Sequence, residues 1–138
     1  MICKKYSTNY ANAAVDAVYY IEKNTLLSPL DAWQMAISQH TNSKEARKKG
    51  CPKTAFLGLC EDGLVKGIRP NDYIKKPGFI KNKQYVLIAL ELLKKEPSLV
   101  LDKKELWRKV KAISGSTSEG KDGHMDVVIA LFSEGLLC

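Results

Sequence analysis

The 138-residue sequence is poor in the residues on which most recognisable chemistry depends. It holds two histidines, His40 and His124, and four cysteines, Cys3, Cys51, Cys60 and Cys138. No two of these form a CxxC or CxxH pair, so the spacing of a structural zinc site is missing. Neither histidine stands in a recognisable Cys–His arrangement, which leaves a thiol enzyme without an obvious base. Long apolar runs are also lacking. The most apolar stretch, Tyr85 to Leu93, is interrupted by Glu91 and falls far below the ~20 residues a membrane span requires. The opening MICKKYSTNY has no apolar run after its lysines, so a secretory signal is not expected. Residues 114–123, SGSTSEGKDG, lack the GxxxxGK[ST] order of a phosphate loop and follow no strand. No strand signal of useful length occurs. The expectation is a cytoplasmic protein with reduced thiols, no membrane contact and no cofactor, because a chain with its own core does not need disulfides.

What is present is ordinary globular composition, 45% hydrophobic and 27% charged, enough for one compact domain. The stretch Gly50 to Ile68, GCPKTAFLGLCEDGLVKGI, organises the rest. Cys51 stands at an expected cap and Pro52 at the first helical position, where a missing N–H costs nothing. An apolar helix over 52–62 follows, then Gly63 where a left-handed C-terminal cap is needed, and Leu64 and Val65 lead out as an extended segment. Around it the spacing predicts a helix from Ser7, Thr8 or Asn9 to about Lys23 and a second from Ser28–Pro29 to His40. A helical turn is expected from Ser43. A fourth main helix over about 82–95 is apolar nearly all round and is expected at the centre. A fifth is capped by Asp102 with Glu105 completing a capping box, and a last runs from His124 to Glu134. The fold class is all-α, with about six helices.

GCPKTAFLGLCEDGLVKGI, together with DGHMDVVIALFSEGLL near the C-terminus, resembles a family of small, mostly bacterial proteins of unassigned function. The likeness covers Tyr10 to Leu137 and implies no activity, so no catalytic residue is carried over from it. The two halves of the chain also match each other, as repeats 11–66 and 83–138 joined by a basic Pro/Gly-containing connection, 67–82. Ala17 falls on Ala89, Trp33 on Trp107, and Leu59, Gly63 and Leu64 on Leu131, Gly135 and Leu136. Few positions are identical; the apolar pattern does most of the matching. Such a duplication predicts two three-helix units, with the first and fourth main helices packed at the centre. Helix followed by Gly-Leu also resembles the recognition-helix–wing junction of winged helix-turn-helix domains. A recognition helix must offer polar side chains to base edges, yet 55–60 reads AFLGLC and 127–132 reads VVIALF, so any nucleic-acid contact is expected from loops.

The net charge of +7 is concentrated: residues 44–83 hold eleven Lys or Arg against four Asp or Glu, and the remainder eleven of each. One basic face is expected, built from Lys44, Arg47, Lys48, Lys49, Lys53, Lys66, Arg69, Lys75 and Lys76, with Tyr73 and Phe79 interleaved and Lys81 and Lys83 following. Its function would be a non-catalytic binding module for nucleic acid or an acidic protein; the plainer reading is a soluble lysine-rich surface. The alternative is a thiol-dependent enzyme or redox protein centred on Cys51, whose thiolate a helix start and nearby cations favour. Convergence of His40, His124, Cys51 and Cys60 on a metal has no support in their spacing, and helix-end capping or exposure explains the histidines. Glu61, Asp62 and Glu134 read as solvated helix ends, or as partners for the lysines. Homo-oligomeric assembly through apolar faces stays open.

Overall fold

Two helix starts show how closely local chemistry dictates structure here. In the computed structural model, which describes residues 3–74, 80–116 and 123–138, Thr8 Oγ1 accepts a hydrogen bond from Ala11 N at 3.2 Å and opens α1, Asn9–Lys23. Ser28 Oγ accepts from Asp31 N at 3.1 Å and opens α2, Pro29–His40, with proline in its first turn. Both caps satisfy an N–H that the helix itself leaves unpaired. A one-turn α3, Lys44–Lys48, and α4, Gly50–Glu61, follow; then come α5, Ile80–Lys95, a 3₁₀ turn at Pro97–Leu101, α6, Lys103–Ser114, and α7, Gly123–Ser133. Among the described residues, six main helices and the short α3 make the fold all-α. The only strand-like pairing among them is an antiparallel bridge between Val65 and Leu137.

Three local details differ from expectation. Helix α4 begins at Gly50, so Cys51 lies in its first turn and the cap position falls to Lys49. The cause is α3, which brings the chain in helically and leaves only Lys49, at φ −59° and ψ 121°, to turn between the two helices. Helix α5 begins at Ile80 instead of Asn82. Glu105 does not complete a capping box: Asp102 Oδ1 accepts from Glu105 N at 3.1 Å, but the Asp102 N–H is already donated to Leu99 O within the 3₁₀ turn. The Glu105 carboxylate turns to Arg108 instead.

The centre of the molecule is α4 against α7, not α1 against α5. Eight of the twelve α4 residues are buried and seven of the eleven in α7, whereas α5 keeps Lys81, Gln84, Glu91 and Lys94 in solvent. An apolar count cannot tell a helix buried on all sides from one whose leucines are only half covered, as Leu87, Ile88 and Leu92 are. The two central helices run parallel. At their N-terminal ends Gly123 meets Pro52, where a Cβ on the glycine would fall 3.2 Å from Pro52 Cγ. At the other end Gly63 and Gly135, at φ 71° and 72°, reverse each chain. Their left-handed conformation is one that only glycine adopts without strain. The bridge beyond them is closed by Lys66 N donating to Leu136 O at 2.9 Å and Cys138 N donating to Leu64 O at 2.8 Å. These two bonds flank the facing pair Val65 and Leu137.

Packing crosses between the halves. Helix α1 pairs with α2 and rests on α7, while α5 pairs with α6 and rests on α4. Trp33 of α2 stacks on Phe56 of α4, ring centroids 5.7 Å apart, a contact worth about 0.5–1.5 kcal/mol beyond the area it buries.

Candidate functional site

The basic residues fall into two groups at opposite ends of α4. Lys44, Arg47 and Lys48 lie on α3, Lys49 between the helices and Lys53 in the first turn of α4; Lys66 and Arg69 follow its C-terminus. A twelve-residue helix separates the groups by roughly 17 Å of axial rise. Among the described residues, the two parts of the expected face, 44–53 and 66–83, thus start from opposite ends of α4. Lys75, Lys76 and Phe79 lie outside the described residues.

The group at the start of α4 gathers five cations against one carboxylate, Glu45 of α3. Among the described residues no carboxylate lies within ion-pair distance of Lys44, Lys48 or Lys53. Arg47 Nε donates to Thr41 O at 2.9 Å, and the Lys49 ammonium sits 5.8 Å from the Tyr10 ring centroid. Several cations elsewhere are paired: Lys5 with Glu134 at 2.9 Å, Lys103 with Asp126 at 3.0 Å and Lys109 with Glu96 at 3.1 Å. Helix α4 begins inside the basic group with no side-chain cap, so the positive end of its dipole adds to the same field. The side chains that project here come from α3 and a helix start, since α4 itself is buried from Pro52 to Cys60 apart from Lys53.

At the far end of α4 the acidic residues are partners, not solvated helix ends. Glu61 Oε2 accepts from Tyr73 N at 2.9 Å and Ile74 N at 2.8 Å, and Oε1 from Lys83 Nζ at 2.9 Å. Lys83 Nζ also reaches Asp62 at 2.8 Å. Burial pushes the Glu61 carboxyl up, but the Ile74 N–H, Lys83 and the Tyr73 N–H together hold it below the usual carboxylate range. Lys83 is thereby taken out of the basic surface and, with Glu61, ties residues 66–74 to α4 and α5. Tyr73, expected as an aromatic for stacking, is half-buried and donates its hydroxyl to Arg69 O at 2.5 Å. Glu134 is likewise engaged: hydrogen bonds from Tyr6 and Lys5 hold its carboxyl low.

Both histidine side chains are buried and structural in their contacts, which corrects the expectation of exposed helix ends. His40 Nε2 lies 2.6 Å from Asp16 Oδ2, with side-chain exposures of 5% and 3%. The Cys3 N–H donates to both Asp16 oxygens, at 2.9 and 3.1 Å. His124 is enclosed by Trp107, ring centroids 4.5 Å apart, and by Tyr85 at 5.6 Å. Motif spacing alone misses Asp16, although one signal marks it: it occupies the apolar stripe of α1 with Ala13, Ala17 and Tyr20. Cys51 is half-buried and Cys60 fully buried, and burial first, then Glu61, pushes the Cys60 thiol well above its ordinary value. Among the described residues no group of three or more His, Cys, Asp or Glu converges as a metal would require. No described helix is long and apolar enough to cross a membrane.

The chain belongs to a family of unknown function (DUF6979), whose profile matches residues 7–138. No curated protein and no solved structure matches it.

Proposed function

We propose that this member of the family is a non-catalytic binding module that takes a polyanion, nucleic acid in the first instance, on the end formed by α3 and the first turn of α4. One observation carries the reading. Lys44, Lys48 and Lys53 flank the start of α4 with Arg47 and Lys49, and none of the three has a carboxylate within ion-pair distance among the described residues, the nearby Glu45 included, whereas Lys5, Lys83, Lys103, Arg108 and Lys109 each have one. Lysines that neutralise phosphates there release the condensed counterions of the nucleic acid into solvent. The uncapped start of α4 contributes in the same direction. Lys66 and Arg69, a helix length away, are not needed for this contact. The predominance of lysine favours backbone reading over base-specific recognition.

The test is fluorescence anisotropy of labelled single- and double-stranded oligonucleotides across a salt series, with Lys48→Glu/Lys49→Glu beside the native chain. Log affinity should fall linearly with log salt, and the double variant should bind more weakly with a slope shallower by about two. Absence of binding at low salt sinks the nucleic-acid reading and leaves an acidic protein as the partner class to pursue. The thiol reading has less behind it: Cys51 is half-buried, Asp16 occupies His40, and aromatic rings enclose His124.

A further inference from the structure

A groove of about 620 Å³ opens between the α1–α2 connection and the segment that follows α4. Ile21, Leu26, Leu27, Pro29 and Ile68 supply the apolar half of its lining, Thr25, Asn71 and Tyr73 add polar groups, and Arg69 is the one charged residue among the described residues that line it. Its size lies within the few-hundred-to-thousand Å³ range of small-molecule sites, which are mostly apolar with a few fixed polar groups.

Both walls are held before any ligand arrives. On one side Leu26 N donates to Asn24 Oδ1 at 3.1 Å and Leu27 N to Asn24 O at 3.0 Å. On the other, Glu61 holds Tyr73 N and Ile74 N, Tyr73 donates to Arg69 O, and Ile68 N donates to Val65 O at 3.1 Å. Leu26 nevertheless leaves 95% of its surface in water. No carboxylate lies within ion-pair distance of Arg69 among the described residues. A half-apolar lining and a guanidinium without a carboxylate partner at one groove complement a molecule with an apolar body and a single carboxylate, which Arg can grip with two parallel hydrogen bonds.

We infer that this groove is a binding site for a small amphipathic monocarboxylate, its apolar chain lying over Leu26 and Ile68 and its carboxylate on Arg69. It stands at the other end of α4 from the proposed polyanion surface, and the two are independent.

The test uses the full chain with decanoate, kept below its micelle-forming concentration, followed by backbone amide and methyl NMR shifts. Saturable shifts at Leu26, Gly67, Arg69 and Asn71 are expected. Arg69→Gln, a change of an exposed side chain, should weaken binding about five- to ten-fold, and Leu26→Asp should weaken it at least as much. Lys48→Glu, at the far end of α4, should leave it unchanged. The inference is overturned by the absence of saturable shifts, by equal binding of neutral 1-decanol, or by equal loss in Lys48→Glu and Arg69→Gln.

Discussion

Gly58 of α4 and Lys83 of α5 approach so closely that a Cβ on the glycine would lie 2.8 Å from Lys83 Cγ and 3.2 Å from Lys83 Cα. The neighbour cannot step aside, because its backbone is involved and its ammonium is held by Glu61 and Asp62. Gly58→Val should therefore force α5 outward. A loss of about 2–3 kcal/mol is expected from overpacking, measured as a lower urea midpoint with unchanged slope.

The Asp16–His40 pair sets a second expectation. Removing one partner leaves the other's buried hydrogen-bonding group unsatisfied, so Asp16→Ala should cost about 1–3 kcal/mol. It also removes the acceptor for the Cys3 N–H. The double variant Asp16→Leu/His40→Leu should recover much of that loss, because no lone buried polar side chain of the pair is left behind. Urea denaturation of Asp16→Ala and the double variant beside the native chain gives the comparison.

Acid should loosen the segment that Glu61 holds after α4. A carboxyl whose folded pKa lies below its ordinary value stabilises the fold fully above that ordinary value, about 4.3, and loses this contribution as pH falls through the folded value. Glu61 has this sign: burial raises it, but Ile74 N, Lys83 and Tyr73 N outweigh burial and hold it low. The stability advantage of the native chain over Glu61→Gln should be constant from neutral pH to about 5 and vanish at more acid pH. Hydrogen exchange of the Tyr73 and Ile74 amides should speed up over the same window.

Thiol accessibility separates the four cysteines. Cys138 is exposed, Cys3 and Cys51 are half-buried, and Cys60 is buried. Under native conditions a water-soluble alkylating agent should label Cys138 first, and Cys60 only as fast as the domain unfolds. Mass spectrometry at timed intervals gives the order. Cys51 labelling ahead of Cys138 would instead favour the thiol reading.

Features that depend on neighbours along the chain are legible in the residues themselves. Ser28–Pro29–Asp31 starts a helix because the cap, the proline and the carboxylate all act within one turn. Gly63 and Gly135 are recognisable because a chain reversal after an apolar helix needs a left-handed residue. Features that depend on which helix face meets which are not legible in this way. Asp16 and His40 are 24 residues apart and meet only because α1 and α2 fold back on each other. The basic residues of 44–83 read as one run in sequence, and the place of α4, Gly50–Glu61, between their two parts comes from the fold. Lys83 reads as free charge, and only the fold brings Glu61, 22 residues earlier, close enough to hold it.

The crossing of the two halves, with α1 resting on α7 and α5 on α4, has a consequence for how the molecule is made. During synthesis the first helix leaves the ribosome long before the helix that covers it, and Val65 waits for Leu137. The α1–α2 hairpin, local in sequence, can form early. The closed core is a late event that requires nearly the whole chain. Until then the Ala13–Ala17 face of α1 and the underside of α4 remain open to other chains, so crowding and chaperone supply should affect the yield of folded protein more than its final stability.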